Sequence, residues 1–101
     1  MNIKGLMFNQ TCGACPEQYD VINGRGQQVG YVRLRYGWLR CYYPDCRSDK
    51  VIYETSIGDD GWTGCFTSEE ERMYHLNAIA DEINKYQKGN NAKHKKYYRK
   101  H

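Results

Sequence analysis

The run RLRYGWLR at residues 33–40 sets three arginines among aromatic side chains at a spacing that a β-hairpin brings to one face. A two-residue loop at Tyr36-Gly37 pairs Arg35 with Trp38, Leu34 with Leu39, Arg33 with Arg40, Val32 with Cys41 and Tyr31 with Tyr42. Side chains alternate along each strand, so Val32, Leu34, Leu39, Cys41 and Tyr43 turn inward while Tyr31, Arg33, Arg35, Trp38, Arg40 and Tyr42 turn outward. A slip of one residue would mix the two sets, which is why the register is credible. Guanidinium forks match carboxylates and phosphates, and Trp, Tyr and Arg are the residues that dominate binding hot spots. The chemistry implied is therefore recognition of an anionic partner. Placing Arg33 opposite Arg40 forgoes the roughly 0.2–1 kcal/mol of a favourable cross-strand pair. Cation–π stacking on the aromatics, neutralisation by Asp20 or Glu54 on adjacent strands, or an external partner would each answer that charge. An antiparallel sheet also commonly exposes one solvated polar face.

The five cysteines offer a second chemistry. Cys12 and Cys15 stand two residues apart in CGAC, and Cys41 with Cys46 makes a second pair, so four thiolates could close a structural zinc site. The second pair is wider than in common zinc ribbons, Cys41 points to the core face, and Cys65 has no place in the set. Reduced core and loop thiols are the competing reading. A dithiol redox role needs a helix after CGAC to lower the first thiol's pKa, and Pro16 with a strand-like QYDVI follows instead.

Nothing else in the chain resembles a catalytic motif. His75, His94 and His101 lie outside any metalloprotease or nucleophile pattern. Asp59-Asp60 in GDDGW reads as a turn, and the glycines of NGRG lack the strand-to-helix context of a phosphate loop. The expectation is a protein without enzymatic activity.

The net charge of +3 is unevenly spread. Lys93, Lys95, Lys96, Arg99 and Lys100 form a C-terminal basic run without an acid. Without those five, ten basic residues face twelve acidic ones, leaving the body at −2. That excludes a uniformly basic nucleic-acid-binding domain and a strongly acidic nucleic-acid mimic. The basic run itself suits salt-sensitive contact with phosphates. The outer face is similar to sheets that stack RNA bases, but the motifs and helix–strand alternation of such domains are absent. No apolar run has signal-peptide or membrane-spanning form, so a cytoplasmic setting and no membrane contact are expected.

The elements that must position these residues read as α+β. Strand candidates are 3–8, with Ile3 and Met7 on one side and Leu6 and Phe8 on the other, then 18–22, the two strands around Tyr36-Gly37, and VIYET at 51–55. Thr67 or Ser68 with Glu70 or Glu71 forms a capping box. Met73, Leu76, Ile79, Ala80, Ile83 and Tyr86 then recur at helical spacing, and Gly89 is a suitable stop. The fold expected is a four- or five-stranded antiparallel meander packed on one long C-terminal helix, with residues 1–88 as a single domain and 89–101 as a flexible basic tail.

The segments YDVINGRGQQVGYVRLRYGWLRCYYPD and GCFTSEEERMYHLNAIADEI resemble small uncharacterised proteins of phages and bacterial mobile elements. The resemblance spans residues 3–86 and is one of general pattern. It implies a compact protein of the anti-CRISPR or other anti-defence kind, acting in the bacterial host cytoplasm by binding a host protein such as a defence nuclease or its nucleic-acid complex. The expected contact is the Arg/aromatic face, assisted by the basic run. A small zinc-stabilised nucleic-acid-binding protein and a self-associating assembly protein are the alternatives.

Overall fold

Alternating burial along the chain produces a six-stranded antiparallel sheet with one helix across one face. The structure, a computed structural model, describes residues 1–12, 16–58 and 61–99, with the backbone alone from residue 90 onward. The strands are β1 (Asn2–Ile3), β2 (Leu6–Gln10), β3 (Glu17–Ile22), β4 (Gln28–Arg35), β5 (Trp38–Tyr42) and β6 (Val51–Ser56), followed by α1 (Glu69–Arg99). They pair in sequence order as an uninterrupted meander. This is the expected α+β class, with more strands than expected.

The extra strand comes from the N-terminus. Residues 3–8, expected as one strand, fold back at Lys4-Gly5, where Lys4 takes φ 52° and Ile3 comes to lie across from Leu6. Ile3, Leu6 and Phe8 consequently share the core while Met7 is only partly covered. Gly5, at φ 83°, is the one local signal of this turn, while lysine rarely adopts the left-handed conformation beside it. The helix holds the lysine in place: Lys4 Nζ meets Asp81 Oδ1 at 2.7 Å, and Asn84 Nδ2 donates to the Lys4 carbonyl at 3.2 Å.

The other turns follow local chemistry. Asn23 Oδ1 accepts from the amides of Arg25 and Gln27 at 2.9 and 3.0 Å, a side-chain-supported turn between β3 and β4. Tyr36 and Gly37 take φ of 53° and 76°, the double positive φ that a tight hairpin requires. Only glycine fits at position 37 for a second reason: a Cβ there would lie 3.0 Å from the Gly61 Cα.

Helix α1 starts where the capping residues predict. Ser68 Oγ accepts from the Glu71 amide at 3.0 Å, and Glu71 Oε1 accepts from the Thr67 amide at 3.0 Å. Leu76, Ile79, Ala80 and Ile83 are fully buried against Val21, Val32, Leu34, Leu39 and Cys41 of the sheet. The helix approaches so closely at Gly30 that a Cβ there would meet Ile83 Cδ1 at 2.9 Å. The helix continues past Gly89, whose interior cost of about 1 kcal/mol relative to alanine is too small to force a stop. No described helix is long and apolar enough to cross a membrane.

One buried acid ties the layers together. Glu17, 2% exposed, faces the core from the start of β3. Arg72 donates to it from Nε at 2.7 Å and Nη2 at 3.2 Å, the Tyr19 hydroxyl donates to its Oε2, and the Phe66 amide donates to its Oε1 at 3.3 Å. Its own amide donates to the Gly64 carbonyl at 2.7 Å. Burial alone would raise the Glu17 pKa; the Arg72 and Tyr19 hydrogen bonds, the Phe66 amide and the Arg72 charge outweigh it and hold the carboxyl below its ordinary value. A carboxylate with a depressed folded pKa stabilises fully above its unfolded value of 4.5, and that contribution is lost as pH falls through the folded value. Glu17→Gln is therefore expected to lower unfolding free energy at neutral pH by about 3–5 kcal/mol, as for a buried pair broken on one side. Urea titrations should also show the wild-type advantage shrinking on acidification below pH 4.5, with no such loss in the variant.

Candidate functional site

The register of β4 and β5 is Arg35↔Trp38, Leu34↔Leu39, Arg33↔Arg40, Val32↔Cys41 and Tyr31↔Tyr42, as the alternation predicts. Val32, Leu34, Leu39 and Cys41 are fully buried, so the arginines and aromatics share the opposite face. The charges on that face are answered unequally. Arg40 stands across from Glu54 of β6 and is ion-paired to it through Nε. The Glu54 hydrogen bond raises the Arg40 pKa further. Arg33 stands across from Gln18 of β3, and Asp20 accepts from Gln28 Nε2 at 3.0 Å instead of from an arginine. Among the described residues, Arg33 and Arg35 have no carboxylate partner.

Each arginine lies over a neighbouring ring: Arg33 over Tyr42 at 5.9 Å, Arg35 over Tyr36 at 4.8 Å and Arg40 over Trp38 at 5.3 Å from the centroid. These contacts hold the guanidinium planes in place without cancelling their charge. Tyr31 and Tyr42 close the far end of the face. Their rings are 6.1 Å apart, and the Tyr31 hydroxyl donates to Gln18 Oε1 at 2.6 Å. Burial raises the Tyr31 pKa, which keeps the hydroxyl a donor.

The turn end is open. Arg33, Arg35, Tyr36, Trp38 and Arg40 line a shallow pocket of about 210 Å3. A second pocket of about 470 Å3, lined by Pro16, Arg35, Tyr36, Trp62 and Gly64, shares the Arg35–Tyr36 wall. Tyr36, Trp38 and Trp62 are 56%, 43% and 76% exposed. Trp62 packs edge-on to Tyr36 with centroids 6.2 Å apart. It is carried there by the connector to the helix, which Gly37 joins by donating its amide to the Thr63 carbonyl at 2.8 Å. The sequence pattern located four of the five residues of the first pocket. Tyr36 reads in the sequence as a turn residue alone, and nothing in the strand pattern points to Trp62 or Pro16; a tryptophan inside a glycine-rich connector is the available signal for Trp62.

The cysteines divide between core and surface. Cys41 is fully buried, and burial pushes its thiol up to about 12, so it is held protonated. Cys46 is exposed, Cys12 is half-buried, and Cys15 lies outside the described residues. Cys65 is disulfide-bonded. Among the described residues no group of three or more His, Cys, Asp or Glu could hold a metal ion. A zinc site using Cys12, Cys15, Cys41 and Cys46 would need Cys41 to leave the core and ionise. His75 is also structural: its Nδ1 lies 2.9 Å from the Tyr53 hydroxyl, its ring stacks on Phe66, and burial lowers its pKa. The side chains of Lys93, Lys95, Lys96 and Arg99, and all of Lys100, lie outside the described residues, as do Asp59 and Asp60.

No family model, curated protein or solved structure matches the chain. The site must be interpreted from its own chemistry.

Two outcomes are expected. Arg33→Glu replaces a like-charge cross-strand pair by an opposite one and should raise unfolding free energy by about 0.2–1 kcal/mol in urea titrations. Elemental analysis of the purified protein should find no stoichiometric zinc, because the Cys41 thiol is committed to the core.

Proposed function

We propose that the chain is a non-enzymatic binding module that captures an acidic protein surface with the open end of its Arg/aromatic face. The observation that carries this reading is the pairing pattern: Arg40 is matched by Glu54, whereas Arg33 and Arg35 have no carboxylate among the described residues and border exposed Tyr36, Trp38 and Trp62. A sheet face built only for solubility would gain stability from an acid at position 33, since cross-strand opposite charges are favourable. Rigid rings beside guanidinium forks instead supply contact area at low entropic cost together with bidentate capture of carboxylates. The outer face lacks the motifs and the helix–strand alternation of sheets that stack nucleic-acid bases, which favours a protein partner. The setting proposed with it is the one that the resemblance of sequence pattern implies, inhibition of a host defence nuclease by direct binding.

Immobilised protein incubated with nuclease-treated bacterial lysate is the test, with captured proteins identified by mass spectrometry. A specific partner should be retained by the wild type and lost by Arg33→Glu combined with Arg35→Glu, with circular dichroism unchanged. Capture that survives both substitutions removes this face from the function. Capture seen from untreated lysate but lost from the nuclease-treated one would establish nucleic acid as the ligand instead.

A further inference from the structure

Strand β6 ends the sheet, so one of its flanks has no strand neighbour among the described residues. The Ile57 amide donates to the Gly37 carbonyl, and Thr55 and Tyr53 follow it at the two-residue period. The backbone groups of Ser56 and Glu54 therefore point away from β5 along the free edge. The strand reads VIYETS: β-branched and aromatic, without the proline or lysine by which natural edges discourage pairing, and its one charge, Glu54, is taken up by Arg40. Its one irregularity sits opposite Cys41 and Tyr42, leaving Tyr53 to Ser56 regular.

The helix flank above this edge is partly uncovered. Tyr74 is 70% exposed, and Ala78, Glu82 and Lys85 continue from it along the same side of α1 at helical spacing. Between the helix and the edge runs a groove of about 340 Å3 lined by Lys50, Val51, Ile52, Glu82, Lys85 and Tyr86, with Val51 40% exposed.

We infer that this edge and helix flank form an interface with a second copy of the chain, β6 pairing antiparallel with its counterpart about a two-fold axis normal to the sheet. A two-fold interface must be complementary to itself. This one carries an acid and a base one helical turn apart, so antiparallel helices bring Glu82 of each copy toward Lys85 of the other. The small alanine at position 78 allows the helices to approach, and the exposed Tyr74 and Val51 supply apolar area. A net charge of +3 offers little long-range repulsion between copies. Pairing joins two six-stranded sheets into one. Because the axis is normal to the sheet, both Arg/aromatic faces lie on the same side, which gives a bivalent surface.

Sedimentation equilibrium of the full chain tests this directly. The mass should rise from 11.9 kDa toward twice that value with concentration. Glu82→Lys and Lys85→Glu, each placing like charges together twice, should weaken association by about tenfold or more. The double exchange Glu82→Lys with Lys85→Glu should restore it, and Arg33→Glu should leave it unchanged. Hydrogen exchange should slow at the Glu54 and Ser56 amides as concentration rises. A monomer persisting to about 1 mM, a double exchange no tighter than either single variant, or Glu54 and Ser56 amides that exchange independently of concentration would each overturn the inference.

Discussion

Glu17 and Arg72 form the contact on which the rest of the arrangement depends. The acid begins β3, the base lies in the first turns of α1, and the Phe66 amide, from the connector between β6 and α1, completes the set. Two regions about fifty residues apart, the start of β3 and the start of the helix, are thereby fixed to one carboxylate. Such a group is costly to bury unless every lone pair is used, and here the Arg72 fork, the Tyr19 hydroxyl and a backbone amide use them. Among the described residues no buried side-chain polar atom lacks a partner. The consequence reaches the opposite face of the sheet: with Gly64 held by the Glu17 amide and Thr63 by Gly37, Trp62 is delivered beside Tyr36.

The two faces of the hairpin obey different physics. Inward positions are filled to zero exposure by aliphatic side chains and one thiol, and there packing decides. Outward positions carry a charge pattern that sheet stability does not demand. One arginine is neutralised by β6; the other two are held in orientation by rings that leave their charge available. Orientation without neutralisation is what a pre-organised anion receptor requires, since less side-chain entropy is lost on binding.

Much of this was legible in the residues. The hairpin register followed from alternation and from a glycine at the turn, because a period of two leaves only one pairing that keeps Leu34 and Leu39 together. The helix start was legible in Ser68 and Glu71, and its buried stripe in the spacing from Met73 to Ile83. The hairpin at Lys4-Gly5 was legible only in its glycine, because its left-handed lysine is stabilised by Asp81, 77 residues away. Glu17 was equally opaque: in sequence it is a charged residue after a proline, indistinguishable from a solvated one. The split among the arginines could be posed as a question about Asp20 and Glu54 but not answered, since both acids lie on neighbouring strands and only side-chain direction separates them.

The sequence by itself thus determined the α+β class, the meander through β6, the hairpin register and the membership of the outer face. Each of these rests on local periodicity or turn chemistry, which act over a few residues. The tertiary structure alone decided which arginine is matched, where Trp62 stands, how the N-terminus folds back and why Glu17 is inside. Those outcomes depend on contacts between segments far apart in the chain, and no local pattern encodes which of several chemically suitable partners will be within reach.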